Sequence, residues 1–267
     1  MNKKLLSPAR LVAANILAYV AVLVVNILSN ALPLNGRTAA EVSDALPSYF
    51  TPAGYTFSIW GLIYLALAGF VIYQALPAQR DQLFQRQIGG LFVLSSFLNA
   101  GWLFAWHYGQ FALSLLLMAS LLVTLIAIYL RLRNGLHHQA RSLSRRLLVH
   151  VPFSLYLGWI TVATIANIAS VVAYWGWDGF GIAGPTWSAI MMSVAVVVAG
   201  LLLYQRRDFA YAGVLVWALF GIRSAFPNIA IIANTAVVAA VLIAALAILG
   251  AWRSRQPTAT RLGSQPA

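Results

Sequence analysis

Cysteine is absent from the 267-residue chain. That excludes disulfides, iron–sulfur clusters, thiolate nucleophiles and Cys-type zinc sites. Charge is scarce: Asp, Glu, Lys and Arg make up 8% of the residues, where a soluble domain carries about 25%. Only five residues are acidic, Glu41, Asp44, Asp81, Asp178 and Asp208, and each falls in a loop or at the end of an apolar run. Coupled transporters usually place ionisable groups inside the membrane, so this distribution weighs against proton or sodium coupling, although backbone carbonyls also bind ions. Lysine occurs only at Lys3 and Lys4, which removes a retinal-type Schiff base on a membrane helix. No Walker A sequence, His-Glu-x-x-His or nucleophile elbow is present.

What is present in excess is apolar. Hydrophobic residues make up 61% of the chain, and the mean hydropathy is +0.82. A helix crosses the hydrocarbon core with about 20 apolar residues and satisfies its own backbone there. The runs do not alternate as barrel strands do. The pattern predicts an all-α integral membrane protein of eight spans, at about 9–32, 55–77, 88–108, 111–131, 148–173, 187–205, 209–226 and 229–251. Of 17 Lys and Arg residues, only Arg37 and Arg223 then fall on one side. The positive-inside rule therefore predicts cytoplasmic termini, here in a bacterial plasma membrane. The net charge of +12 reads as a topology signal and an attraction to anionic headgroups, not as nucleic-acid affinity. The first run is too long for a signal-peptide core and lacks a clear cleavage site, so it is expected to remain as a span.

Three connections are long. Residues 33–54 carry Pro33, Pro47 and Pro52 with the Asn35-Gly36 turn signal, and Thr38 with Glu41 fits a capping box that predicts a short helix over 39–46. Such a loop reads either as an ordered surface segment or as a lid. The stretch 132–147 places His137 and His138 among arginines and reads as a solvated basic loop, not a metal site. The stretch 174–187 collects Trp175, Trp177 and Phe180, as an interfacial belt does; a second wall of a binding site is the alternative. The tail 253–267 is polar and is expected to be disordered on the cytoplasmic side. His107 and His150 stand about a span apart, roughly 30 Å, too far to ligate one haem iron in a protomer. Arg223 is expected to snorkel to the headgroups or to bind an anion.

Three helical faces carry aromatic and polar residues at helical spacing. Phe57, Trp60 and Tyr64 share a face of the second span. Asn99, Trp102 and Trp106 share one on the third. Tyr156, Trp159, Ala163 and Asn167 form a stripe on the fifth, where Ala163 and Ala166 leave room. An asparagine at membrane depth should face the protein interior. Two readings stand: the asparagines bond between helices, or the faces converge on a cavity for a flat apolar ligand.

Phe57-Ser-Ile-Trp60-Gly-Leu-Ile-Tyr64 after Pro52 resembles the second-helix signature of the tryptophan-rich sensory protein (TspO)/translocator protein family, also known as peripheral benzodiazepine receptor-like. Asn99-Ala-Gly-Trp102-Leu-Phe104 resembles its third-helix motif. Tyr156-Leu-Gly-Trp159-Ile-Thr-Val-Ala163-Thr-Ile-Ala-Asn167 is similar to its fifth-helix motif, the most specific of the three. Two departures stand out: Leu155 where the family usually has proline, and Tyr55 near where it tends to have tryptophan. The resemblance covers about residues 9–180. It implies a five-helix membrane core over 1–180 with a lid at 33–54, followed by three additional spans over 181–252. It further implies a receptor, sensor or carrier that binds a tetrapyrrole (porphyrin or haem) or a sterol-like molecule. Trp60, Tyr64, Trp102 and Trp159 would stack on that ligand, and Asn99 and Asn167 would hydrogen-bond to it or fix helix register. No cofactor is required by this reading; a homodimer and light-dependent porphyrin breakdown are implied only through the family. The rival classes are a transporter of a small amphipathic solute and a structural or partner-binding membrane protein.

Overall fold

The structure is a computed structural model that describes residues 8–32, 34–134 and 142–255. Pro33, the His137–His138 pair, Lys3, Lys4 and the tail from residue 256 lie outside the described residues. Among these residues every regular element is helical: α1 Pro8–Ala31, α2 Ala39–Asp44, α3 Ile59–Ala75, α4 Leu83–Ile88, α5 Leu91–His107, α6 Phe111–Asn134, α7 Leu143–Arg145, α8 Val151–Tyr174, α9 Gly184–Arg206, α10 Phe209–Ala225 and α11 Ala230–Arg255. A π-helical turn at Arg146–His150 carries α7 into α8, so Leu143–Tyr174 is one apolar helix. Among the described residues six helices are long and apolar enough to cross a membrane: α1, α3 with the turn before it, α6, α7–α8, α9 and α11. The apolar helices α5 and α10 have 17 residues each, about 25 Å of rise.

The expected third span begins later than the sequence pattern places it. Gly89 takes a φ of +51°, a conformation that glycine adopts without a Cβ penalty. That ends α4 and separates Ile88 from the helix that follows. Short connections then send successive long helices up and down. One end of the bundle carries residues 34–58 and the connections 108–110, 175–183 and 226–229; we call it the strap end, after the first loop.

The helix formed by α7 and α8 is the axis of the bundle. Of its apolar window 61% is buried, against 28–39% for the other five long helices. It packs against α3, α6 and α10. Small residues permit the closest crossing: a Cβ on Gly158 would meet Val214 Cβ at 3.1 Å and the Tyr211 carbonyl oxygen at 3.3 Å. Close approach at small residues is the usual means of helix association in lipid, where apolar side chains gain little from leaving the medium. On the far flank α9 packs against α11, where a Cβ on Gly200 would meet Leu246 Cδ1 at 3.4 Å. The last three helices therefore form a layer that α10 joins to α8. Leu17, Leu65, Phe97, Leu116 and Ile248, all more than 60% exposed, lie on the outer faces, as lipid contact requires.

The first loop holds the short helix that the capping box predicts, over Ala39–Asp44 instead of 39–46. Thr38 N–H donates to Glu41 Oε2 at 2.6 Å, and Glu41 N–H donates to Thr38 Oγ1 at 3.3 Å. The Thr38 amide, then its hydroxyl, hold the Glu41 carboxyl below the usual carboxylate range. A carboxyl depressed in the folded state adds stability above its unfolded pKa and loses it as pH falls through the folded value. The α2 cap is therefore expected to loosen below about pH 4. Exchange-rate-corrected hydrogen exchange over residues 38–44 measures this, and Thr38→Ala should reproduce the loosening at neutral pH. Equal protection at both pH values, or in the variant, would refute the assignment.

Candidate ligand-binding site

The three faces singled out in the sequence converge beneath the first loop. Trp60 stacks on Tyr64 at 5.5 Å between centroids, and meets Tyr156 and Trp159 edge-on at 5.9 and 6.4 Å. Phe57 meets Trp159 edge-on at 5.7 Å, and Trp102 stacks on Trp106 at 6.0 Å. Between them lies a cavity of about 30 Å³. Its walls are Phe57 from the turn before α3, Trp60 from the start of α3, Trp102 and Trp106 from α5, and Trp159, Ala163 and Asn167 from α8. Ser43 and Pro52 of the first loop, with Val162 and Ala166 of α8, complete the lining. Seven of the ten residues expected at the site thus border one space.

Tyr64, Asn99 and Tyr156 do not border it. They form a polar layer behind Trp60, joined by a residue of α1. Asn99 Nδ2 donates to Tyr156 Oη at 2.7 Å, and Asn26 Nδ2 donates to Asn99 Oδ1 at 3.2 Å. The Tyr64 hydroxyl stands beside this pair without a well-formed bond. The other asparagine is also engaged: Trp102 Nε1 donates to Asn167 Oδ1 at 3.3 Å, and Asn167 Nδ2 donates to Ser114 Oγ at 3.2 Å. Both asparagines therefore fix helix register, the first of the two readings, while Asn167 also faces the cavity. Trp106 Nε1 donates to the Ala39 carbonyl at 3.1 Å and so holds the loop helix.

One donor in the lining is left over. Trp159 is 2% exposed, and its Nε1 has no hydrogen-bond partner. A buried N–H without a partner is costly, on the order of 1–3 kcal/mol, and native structures keep few of them. The Trp159 ring forms part of the cavity wall.

The loop is fastened down from several sides. Thr51 Oγ1 lies 3.4 Å from Ser170 Oγ of α8. Ser188 Oγ of α9 donates to the Tyr49 carbonyl at 2.7 Å, and the Tyr49 ring fills the notch left by Gly184, where any Cβ would collide with it. Ala53 N–H donates to the Gly221 carbonyl of α10 at 3.0 Å, and Trp217 Nε1 donates to the Thr56 carbonyl at 3.0 Å. The cover of the cavity is thus held by α9 and α10 as well as by α5 and α8. Sequence reasoning missed Asn26, Ser114, Ser43 and these anchors. Asn26 had a signal, since it is a polar residue within an apolar span; the anchors had none.

Among the described residues no group of three or more His, Asp or Glu could hold a metal ion. His107 and His150 stand at opposite ends of the bundle, and neither borders the cavity.

These features define an integral membrane protein built as a helical bundle, with a Trp-walled cavity closed by a loop. A family model described as TSPO-like protein matches residues 12–249, and the chain belongs to that family. The match runs through α9, α10 and most of α11, so it takes in the additional helices together with the first five. Comparison with curated proteins and with solved structures gives no match.

Proposed function

We propose that the protein is a membrane receptor, sensor or carrier that binds a flat apolar molecule, a tetrapyrrole or a sterol-like compound, in the cavity beneath the first loop. The observation that carries this reading is the convergence of four tryptophans and one phenylalanine on a single buried space with the Trp159 N–H unpaired. Aromatic faces suit a flat ring, and one N–H supplies the kind of sparse, placed polar contact that orients ligands in apolar sites. The lining supplies no His for an axial bond, so a haem would be held by its ring and substituents. The reading includes eight spans, with α5 and α10 crossing where the bilayer is locally thinned, and a plasma-membrane location with cytoplasmic termini. A homodimer belongs to it only through the family.

The closed cavity of about 30 Å³ matches one water's share of liquid volume, far below the roughly 300–1,000 Å³ of ligand sites. Binding therefore requires the loop to lift or the Trp60 and Phe57 rings to swing. Titration of the purified protein with protoporphyrin, read by tryptophan quenching and corrected for inner-filter absorption, tests the reading. Saturable quenching is expected, and Trp159→Phe and Trp102→Phe should each weaken it about tenfold, the loss of one stacked, hydrogen-bonded ring. Quenching that never saturates, or that both variants leave unchanged, ends the cavity hypothesis. A solute uptake into proteoliposomes that depends on an ion gradient would favour the transporter instead.

A further inference from the structure

A second space lies at the strap end, between α8 and α9. Its volume is about 310 Å³, ten times that of the Trp-walled cavity and at the lower edge of ligand-site volumes, roughly 300–1,000 Å³. Ile168 of α8 and Met191 of α9 line it, with Tyr49 of the first loop and Trp177, Asp178 and Trp187 from the connection between the two helices and the start of α9. Ile168 is 47% exposed, so the cleft is open to the face of the bundle that lipid covers. A molecule can reach it from the bilayer without passing through water.

The polar inventory of the cleft is short and one-sided. Its serines are engaged: Ser48 Oγ accepts from Phe50 N–H at 3.2 Å, and Ser188 Oγ donates to the Tyr49 carbonyl. Trp187 Nε1 donates to the Gly179 carbonyl at 2.9 Å, which fixes its ring beside Trp177 at 5.7 Å between centroids. Phe180 meets Trp177 edge-on at 5.2 Å. The one charged residue in the lining is Asp178. Its Oδ1 accepts from Phe180 N–H at 3.1 Å, which orients the carboxylate and leaves acceptor capacity on the exposed side chain. No cation in the lining balances it.

An apolar slot reached from hydrocarbon, with two indole rings and a lone carboxylate, selects a particular chemistry. Indole faces attract ammonium groups, quaternary ones included. A carboxylate adds to that attraction and repels an anionic head. We propose that this cleft binds a single-chain amphiphile with an ammonium head, its chain between α8 and α9 and its head against Trp177, Trp187 and Asp178. The site is distinct from the Trp-walled cavity, and its failure would leave that reading untouched.

Purified protein in maltoside micelles is titrated with 12-bromododecyltrimethylammonium and with 12-bromododecyl sulfate, and tryptophan quenching is followed. Saturable quenching by the ammonium compound is expected, about fivefold or more tighter than by the sulfate. Asp178→Asn should shrink that preference while leaving the fold intact, because Asp178 is exposed. Ala169→Phe, which fills the slot, should remove saturable quenching by both compounds. Equal affinity for the two heads, or a preference that survives Asp178→Asn, overturns the proposal, and so does saturation that survives Ala169→Phe. Competition by a choline lysolipid of the same chain length separates the sources: displacement identifies membrane lipid as the occupant, and its absence restricts the site to free alkylammonium compounds.

Discussion

Asp208→Ala is expected to destabilise the folded protein by about 3–7 kcal/mol, the sum of a lost helix cap near 1 and two buried hydroxyls deprived of this acceptor at about 1–3 each. Asp208 is 3% exposed and sits where α6, α8 and α10 meet. Its Oδ1 accepts the Tyr211 N–H at 3.1 Å, the N-terminal cap of α10. Its Oδ2 accepts the Tyr129 hydroxyl at 2.8 Å and the Ser154 hydroxyl at 2.6 Å. One carboxylate thus ties three helices, and an alanine there satisfies none of the three donors. Asp208→Asn keeps the shape and one acceptor oxygen, so it should fall between the two. The measurement is the midpoint of thermal loss of monodisperse protein in detergent. The expected order is wild type, then Asp208→Asn, then Asp208→Ala; an alanine variant within about 0.5 kcal/mol of wild type, the ordinary range for surface changes, would remove the carboxylate from this structural role.

Gly221→Ala is the second large effect, and it acts at the other end of the same helix. A Cβ at Gly221 would fall on the Thr56 hydroxyl, 2.8 Å from Thr56 Cγ2 and 3.0 Å from Pro52 Cβ. Alanine is the better helix former by up to about 1 kcal/mol, but overpacking costs about 1–3 kcal/mol, and the Thr56 side chain and the Pro52 ring would both have to move. A net loss of stability is expected, with the first loop displaced from α10. Thr56 Oγ1 is buried and has no partner, so Thr56→Ala removes the obstruction without breaking a hydrogen bond. The double variant Gly221→Ala, Thr56→Ala should therefore recover most of the loss, a coupling that a double-mutant cycle reads directly. Additive effects would mean that the two residues do not oppose each other in this way.

Much of this architecture is legible in the chain. The apolar runs and the Thr38–Glu41 capping box are local patterns, and each corresponds to an observed helix within a few residues. Helical spacing also assembles the walls of the cavity, because residues at i, i+3, i+4 and i+7 must share a face whatever the neighbours are. Spacing does not say which helix a face meets. Asn167 finds Trp102 and Ser114, and Asn99 finds Tyr156 and Asn26, because of crossing geometry that no single helix encodes. The volume of the cavity is hidden for a related reason: it depends on how the rings of Phe57, Trp60 and Trp159 pack edge to face. Asp208 reads from the sequence as a residue at a span end. Its burial comes from α6 and α8 arriving there with Tyr129 and Ser154, partners 79 and 54 residues away in the chain.

The fastening of the first loop has a consequence for how the chain can be divided. Resemblance at the level of motifs stops near residue 180, which invites treating the last three helices as an appendage to be trimmed, swapped or fused elsewhere. Yet the Tyr49 carbonyl is held by Ser188, the Tyr49 ring by the Gly184 notch, and the Ala53 amide by Gly221. A shortened chain ending before α9 would keep every tryptophan of the cavity and lose the latch that holds its cover. Any swap between relatives should therefore carry residues 47–56 together with α9 and α10 as one mechanical unit, although some 130 residues of sequence lie between them.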